Sequence, residues 1–287
     1  MHLSSFFVAL FCVFGSFATP ISFPKRAVSN DVFNDLVFYF KYASSSYSLL
    51  PCGNPNGNTL VKQITNAKTD TQGFIARDDT RKEVIVAFRG SSSAQDFQTD
   101  ADTRLIAFNS PGVNAPAGTL VHSGFLTAYN SVAADIISTV QSELAANPGY
   151  AIVTSGHSLG GGLSSISASS LKSNFPNTTV QMYTYGQPRT GNAAYADLIN
   201  SQFGSNAFRG RSSHSVSPVP TIIPTTLGYR HHGVEFFQNP DPPSAQTTKQ
   251  CDPSGEDPTC SAAIPSGGIN AAHLTYFGIP ASTRFCN

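Results

Sequence analysis

Gly156-His157-Ser158-Leu159-Gly160-Gly161 stands between an apolar, β-branched run from Tyr150 to Thr154 and a segment in which Leu163, Ile166 and Leu171 recur at helical spacing. The G-x-S-x-G pattern predicts a sharp strand-to-helix turn. Glycines two before and two after the serine let neighbouring backbone pass close without Cβ clashes, and the turn exposes the serine hydroxyl. The same turn puts the Leu159 amide at a helix N-terminus, where an unsatisfied donor and the helix dipole can hold a developing oxyanion. Ser158 is therefore the candidate nucleophile.

Outward from this turn, strands and helices alternate. Val84 to Phe88 reads as a buried strand stopping at Arg89-Gly90, and Val180 to Tyr185 and Val234 to Phe237 read as further strands. Val32, Leu36, Val37 and Phe40 follow a Ser29/Asn30 cap at helical spacing. Phe125, Tyr129, Val132, Ile136, Val140 and Leu144 step by fours and threes, which predicts one long amphipathic helix ended by Asn147-Pro148-Gly149. The order implies an α/β fold with a mostly parallel central sheet and helices on both faces. Beyond residue 200 the chain becomes loop-rich, with Pro218, Pro220 and Pro224 close together.

The chain has 287 residues, 40% of them hydrophobic, enough for one sizeable core. Seventeen basic residues balance seventeen acidic ones, so no long-range field draws it to nucleic acid, and a neutral substrate is expected. The apolar run Phe6 to Phe14 and the small residues Ser16 and Ala18 predict a signal peptide over residues 1–18. Lys25-Arg26 offers a dibasic site that would end a short propeptide at 19–26, leaving residues 27–287 as a single catalytic domain. No other stretch reaches the roughly 18 apolar residues needed to span a bilayer, so a secreted, extracellular monomer is expected. Of five cysteines, Cys12 lies in the signal; Cys52, Cys251, Cys260 and Cys286 remain for an oxidising compartment, with three pairings open. Cys251 and Cys260 flank a short segment and could close a local loop, which would leave Cys52 with Cys286. Asn177-Thr178-Thr179 is an N-glycosylation triplet in an expected loop. No metal or cofactor is indicated.

A serine hydroxyl is a poor nucleophile until a base takes its proton. In a nucleophile-elbow fold the acid and then the histidine follow the serine. The histidines after Ser158 are His214, His231, His232 and His273. His273 falls in the last segment, where such folds return their base to the sheet edge; His231 and His232 stay open on order alone. His157, beside the nucleophile, is expected to point elsewhere and to be structural.

The stretch Val84 to Phe277 resembles the fungal class 3 lipase family of triacylglycerol lipases, mono- and diacylglycerol lipases and type A feruloyl esterases. The marks are Phe88-Arg89-Gly90-Ser91, Val121-His122-Ser123-Gly124-Phe125, the Gly156 to Gly161 turn, Tyr185 to Asn192, Val219-Pro220, Gly228-Tyr229 and His273 to Gly278. The resemblance implies an α/β-hydrolase fold and ester hydrolysis through an acyl-enzyme, with His273 as base and the backbone amides of Ser91 and Leu159 as oxyanion hole. It implies the pairs Cys52 with Cys286 and Cys251 with Cys260, a structural His122, and transient contact with a lipid interface. It also implies a helical lid after Ser91. Residues Ser92 to Asp100 hold only one large apolar side chain, Phe97, so a weakly interfacial lipase or an esterase for partly soluble substrates, including feruloylated polysaccharide, is expected.

One position departs from that family. Its triad acid is an aspartate shortly before Val-Pro, where this chain reads His214-Ser215-Val216-Ser217-Pro218-Val219-Pro220. Serine at 217 can hydrogen bond to a histidine but supplies no charge to stabilise an imidazolium. Three accounts compete: a substitute acid, with Asp197 and Asp241 the nearest downstream aspartates; a degenerate triad, in a catalytically impaired, lipase-like binding protein; or a misread gene across the Ser/Arg-rich stretch Gly210 to Ser217.

Overall fold

The computed structural model describes residues 27–48, 51–91, 103–204, 207–211 and 217–286, the stretch 207–211 by its backbone alone. The signal segment, Lys25-Arg26, the lid residues Ser92 to Asp100, and His214 lie outside the described residues. In chain order the elements are α1 (Asn30–Ser45), β1 (Thr59–Asn66), β2 (Thr71–Asp78), β3 (Glu83–Phe88), β4 (Leu105–Ala107), β5 (Leu120–His122), α2 (Ser123–Asn130), α3 (Ala133–Ala146), β6 (Ala151–His157) and α4 (Leu159–Asn174). They continue with β7 (Val180–Tyr185), β8 (Gly191–Asn192), α5 (Ala193–Phe203), β9 (Ala207–Arg211), β10 (Tyr229–Arg230), β11 (Val234–Gln238), β12 (Thr248–Gln250), β13 (Thr275–Tyr276) and β14 (Ile279–Pro280).

The main sheet runs β1-β2-β3-β6-β7-β9-β11-β12. Its centre, β3 to β11, is parallel throughout, and antiparallel strands close both edges. A parallel sheet must be covered on both faces, and β3 shows how its pleat serves both. Val84, Val86 and Phe88 enter the core under α2 to α5, whereas Ile85 and Ala87 enter the core under α1. On the α1 side, Leu36, Tyr39 and Phe40 meet Tyr183, Tyr185 and Tyr276, with the Tyr39 and Tyr183 rings stacked at 4.0 Å.

The single long helix expected from Phe125 to Leu144 is two helices, α2 and α3. The chain breaks at Val132 (φ −127°, ψ −4°), where the Ser131 amide and hydroxyl cap α2 through the carbonyls of Thr127 and Ala128. Phe125, Tyr129, Ile136 and Val140 of both helices press into one core, so the apolar period carries across the break and conceals it.

At the end of β3 remote from the nucleophile turn, the buried Glu83 carboxylate accepts the Tyr39 hydroxyl at 2.7 and 2.8 Å. Arg81 donates to that hydroxyl and to Asp35. Burial pushes Glu83 up to about 7 from an ordinary 4.5, against the lowering effects of Tyr39 and Arg81. The folded state therefore binds more protons than the unfolded chain between those values, and the contribution is complete at low pH and lost as pH rises through the folded value. Glu83→Gln, which cannot ionise, should gain stability relative to the parent from the acid to the neutral end of this window. Urea unfolding at both ends checks it; a pH-independent difference between the two proteins contradicts it.

Candidate active site

β6 ends in the turn that sets Ser158 at φ 59°, ψ −129°, a left-handed backbone that a non-glycine residue adopts only when its surroundings enforce it. The Ser158 amide donates to Tyr185 O (2.8 Å) and the Gly161 amide to Ser158 O (2.9 Å). The flanking glycines have no room for a side chain: a Cβ on Gly156 would lie 2.1 Å from the Gly160 carbonyl oxygen, and one on Gly160 would lie 2.4 Å from that of Phe88. Leu159 opens α4 directly after the serine.

His273 sits in a single helical turn, Ala271–Leu274, its amide held by the Asn270 side chain at 3.1 Å. Its Nε2 lies 2.9 Å from Ser158 Oγ and its Nδ1 lies 3.3 Å from Ser217 Oγ. All three side chains are buried. Ser217 thus stands at the far nitrogen of the imidazole, at a distance longer than the roughly 2.9 to 3.0 Å typical of an N–H···O hydrogen bond. Asp197 and Asp241 are both exposed, on α5 and in the turn after β11.

The other described histidines have structural partners. His231 donates from Nε2 to Pro220 O at 2.8 Å, bracing the turn that follows Ser217. His232 lies under α4, with its Nε2 2.9 Å from both Ser165 Oγ and Gln187 Nε2. His122 caps α2 by accepting from the Phe125 amide and stacks on the Phe125 ring at 4.0 Å. His157 turns away from Ser158. Its Nε2 meets the backbone carbonyl of His273 at 2.8 Å, its Nδ1 meets the Tyr47 hydroxyl at 2.7 Å, and burial holds its pKa down at about 4. His157 is therefore neutral at ordinary pH, and it adds no positive charge beside His273.

A cavity of about 490 Å³ opens over Ser158 and His273; Tyr47, Ser91, Ile269, Leu274 and Ala281 are among its lining. Its wall at Pro280 to Ser282 is anchored on the end of α1. Ser44 Oγ donates to Thr283 O (2.7 Å), Ser45 Oγ accepts from the Phe285 amide (3.0 Å), and Cys52 is disulfide-bonded to Cys286. Cys251 and Cys260 form a second disulfide, which closes the loop after β12. The candidate metal ligands that converge among the described residues are Glu235 with these two cysteines, whose sulfurs are already bonded to each other. Tyr47 was not singled out by the sequence reading; a lone tyrosine after a helix carries no local signal of the site it enters.

The class 3 lipase family matches residues 85–226. A secreted mono- and diacylglycerol lipase of Fusarium solani is 32% identical over 261 residues, covering 84% of this chain and 74% of the relative. The crystal structure of a triacylglycerol lipase from Penicillium expansum superposes with a TM-score of 0.81 at 29% identity, covering 91% of this chain and 98% of that one. Another solved triacylglycerol lipase, whose catalytic centre is formed by a serine protease triad, gives 0.78 at 28% identity over 91% of this chain and 99% of its own. With this sheet, this nucleophile turn and a relative so similar over most of both lengths, the chain belongs to the class 3 lipase family and is a carboxylic ester hydrolase of the α/β-hydrolase fold.

Proposed function

We propose that the protein is a secreted lipase that cleaves acylglycerol esters, with Ser158 as nucleophile and His273 as general base. The observation that carries this reading is the 2.9 Å approach of His273 Nε2 to Ser158 Oγ on the floor of an open cavity. His273 accepts the hydroxyl proton as Ser158 Oγ attacks the ester carbonyl, and the amides of Ser91 and Leu159 receive the negative charge that develops on oxygen. Collapse expels the alcohol, protonated by His273. Water then repeats the sequence on the acyl-enzyme and frees the acid.

Secretion is supported by the N-terminal apolar run, by two disulfides and by the secreted relatives. Asn177 is exposed in the turn between α4 and β7, accessible to glycosylation. A panel of acylglycerols, p-nitrophenyl esters of graded chain length and methyl ferulate tests the substrate class. Acylglycerols should be turned over with the highest kcat/KM. Preference for methyl ferulate would instead make the protein a feruloyl esterase, and failure of every ester together with no fluorophosphonate labelling would reduce it to a binding protein.

A further inference from the structure

We propose that Tyr47 is a positioning residue whose hydroxyl ties the oxyanion segment, the nucleophile turn and the general base into one unit. The proposal rests on Ser158 and His273 being nucleophile and base.

The proton assignments leave little choice. The His273 backbone carbonyl can only accept, so His157 Nε2 carries the hydrogen of that 2.8 Å contact. A neutral imidazole then has its lone pair on Nδ1, so the Tyr47 hydroxyl donates across the 2.7 Å contact. Burial supports the neutral form of His157 and also raises the Tyr47 hydroxyl above its ordinary range, so both groups keep their protons as assigned. With its hydrogen committed, the hydroxyl oxygen packs directly on the Gly90 backbone, leaving no room for a side chain there. Gly90 precedes Ser91, the cavity-lining residue whose amide is assigned to the oxyanion hole. One oxygen thus packs on Gly90 while bonding His157, and through His157 it reaches the carbonyl of His273.

The glycine at 90 is what this approach requires. A Cβ there would lie 2.2 Å from the Tyr47 hydroxyl oxygen, 2.7 Å from the His157 carbonyl oxygen and 3.0 Å from Ser158 Cβ. The His157 and His273 rings lie 4.5 Å apart, so displacement of one is felt by the other. Among the described residues, the side chain that meets His273 Nδ1 is the neutral Ser217 at 3.3 Å, and the Tyr47–His157 chain adds a hold on the His273 backbone.

Tyr47→Phe removes only the hydroxyl. Turnover is measured on a short-chain ester, per Ser158 site titrated with a fluorophosphonate, so that misfolded protein is not counted. The variant should lose kcat about ten- to hundredfold, the size expected when a buried hydrogen-bond partner is removed, with KM almost unchanged. His157→Gln should lose a comparable amount. The double variant should be no worse than the weaker single variant, because both break one chain. Unchanged kcat per titrated site in Tyr47→Phe, even with a lowered melting temperature, overturns the proposal. So does a loss confined to KM, which would place Tyr47 in substrate binding, and so do single effects that multiply in the double variant. Failure of the underlying reading looks different: the fluorophosphonate would attach elsewhere, or Ser158→Ala would keep its turnover.

Discussion

Ser217→Asp should raise turnover by orders of magnitude while leaving KM nearly unchanged. Ser217 Oγ occupies the place at His273 Nδ1 where a triad carries its acid. A carboxylate there acts twice. As a pure acceptor it forces the hydrogen onto Nδ1 and so presents the Nε2 lone pair to Ser158, and its charge stabilises the imidazolium formed in the transition state. A serine hydroxyl does neither firmly. It can donate as well as accept, so the tautomer in which Nε2 is protonated, useless as a base toward Ser158, is not excluded. In serine proteases, neutralising the acid costs about ten-thousand-fold, which sets the scale of the expected gain. Ser217→Asn is the control, since it matches aspartate in size without its charge and should give no comparable increase. If the protein with Ser217 already turns over at about 10 per second, the ordinary enzymatic rate, a neutral partner suffices and the expectation fails. Transcript sequencing across Arg209 to Val219 addresses the remaining account; an aspartate codon before Val219-Pro220 would make the variant the native enzyme.

What could be read from the chain alone follows the reach of the interactions. The nucleophile turn was legible because its demands are local: the clashes that require Gly156 and Gly160 arise within a few residues of Ser158 and with the adjacent strand. The buried strands at Val84, Tyr150 and Val180 were legible because a sheet covered on both faces leaves short runs dominated by apolar, β-branched and aromatic residues. The antiparallel strands β1 and β2 escaped notice: β1 lies at the sheet edge with mostly part-exposed residues, and β2, though largely buried, has its apolar signal diluted by Gln72, Gly73 and Arg77. The break at Val132 was hidden because both helices share one core. His231 and His232 could not be separated from His273 by order along the chain; only their partners, Pro220 O and the Ser165 and Gln187 side chains, make them structural. Tyr47 is the extreme case, 110 residues from the histidine that it meets.

Ser158→Ala should abolish ester hydrolysis, with a loss near a million-fold, the cost of deleting the nucleophile of a serine hydrolase whose binding site and oxyanion hole remain. The size follows from the geometry. His273 Nε2 has its 2.9 Å contact with Ser158 Oγ, and the amide of Leu159 begins α4 beside it, so removing one oxygen removes the only bond-forming atom while leaving the base and the helix N-terminus in place. What survives is water attack aided by the oxyanion donors, a residual of about a thousand- to ten-thousand-fold over solution. Folding should be nearly unaffected. The Ser158 backbone is held by its amide to Tyr185 and its carbonyl to Gly161, neither of which needs the hydroxyl, although the positive φ remains to be enforced on alanine. The measurement pairs hydrolysis of a p-nitrophenyl ester with fluorophosphonate labelling and a thermal unfolding curve. Lost turnover and lost labelling with an intact transition assign the nucleophile. Turnover within tenfold of the parent would move the chemistry away from this turn. Loss of labelling together with the unfolding transition would mean that the substitution had broken the turn, and Ser158→Cys, which keeps a nucleophilic atom and a larger side chain, would then have to be labelled by an electrophile selective for thiols to keep Ser158 at the centre of the reaction.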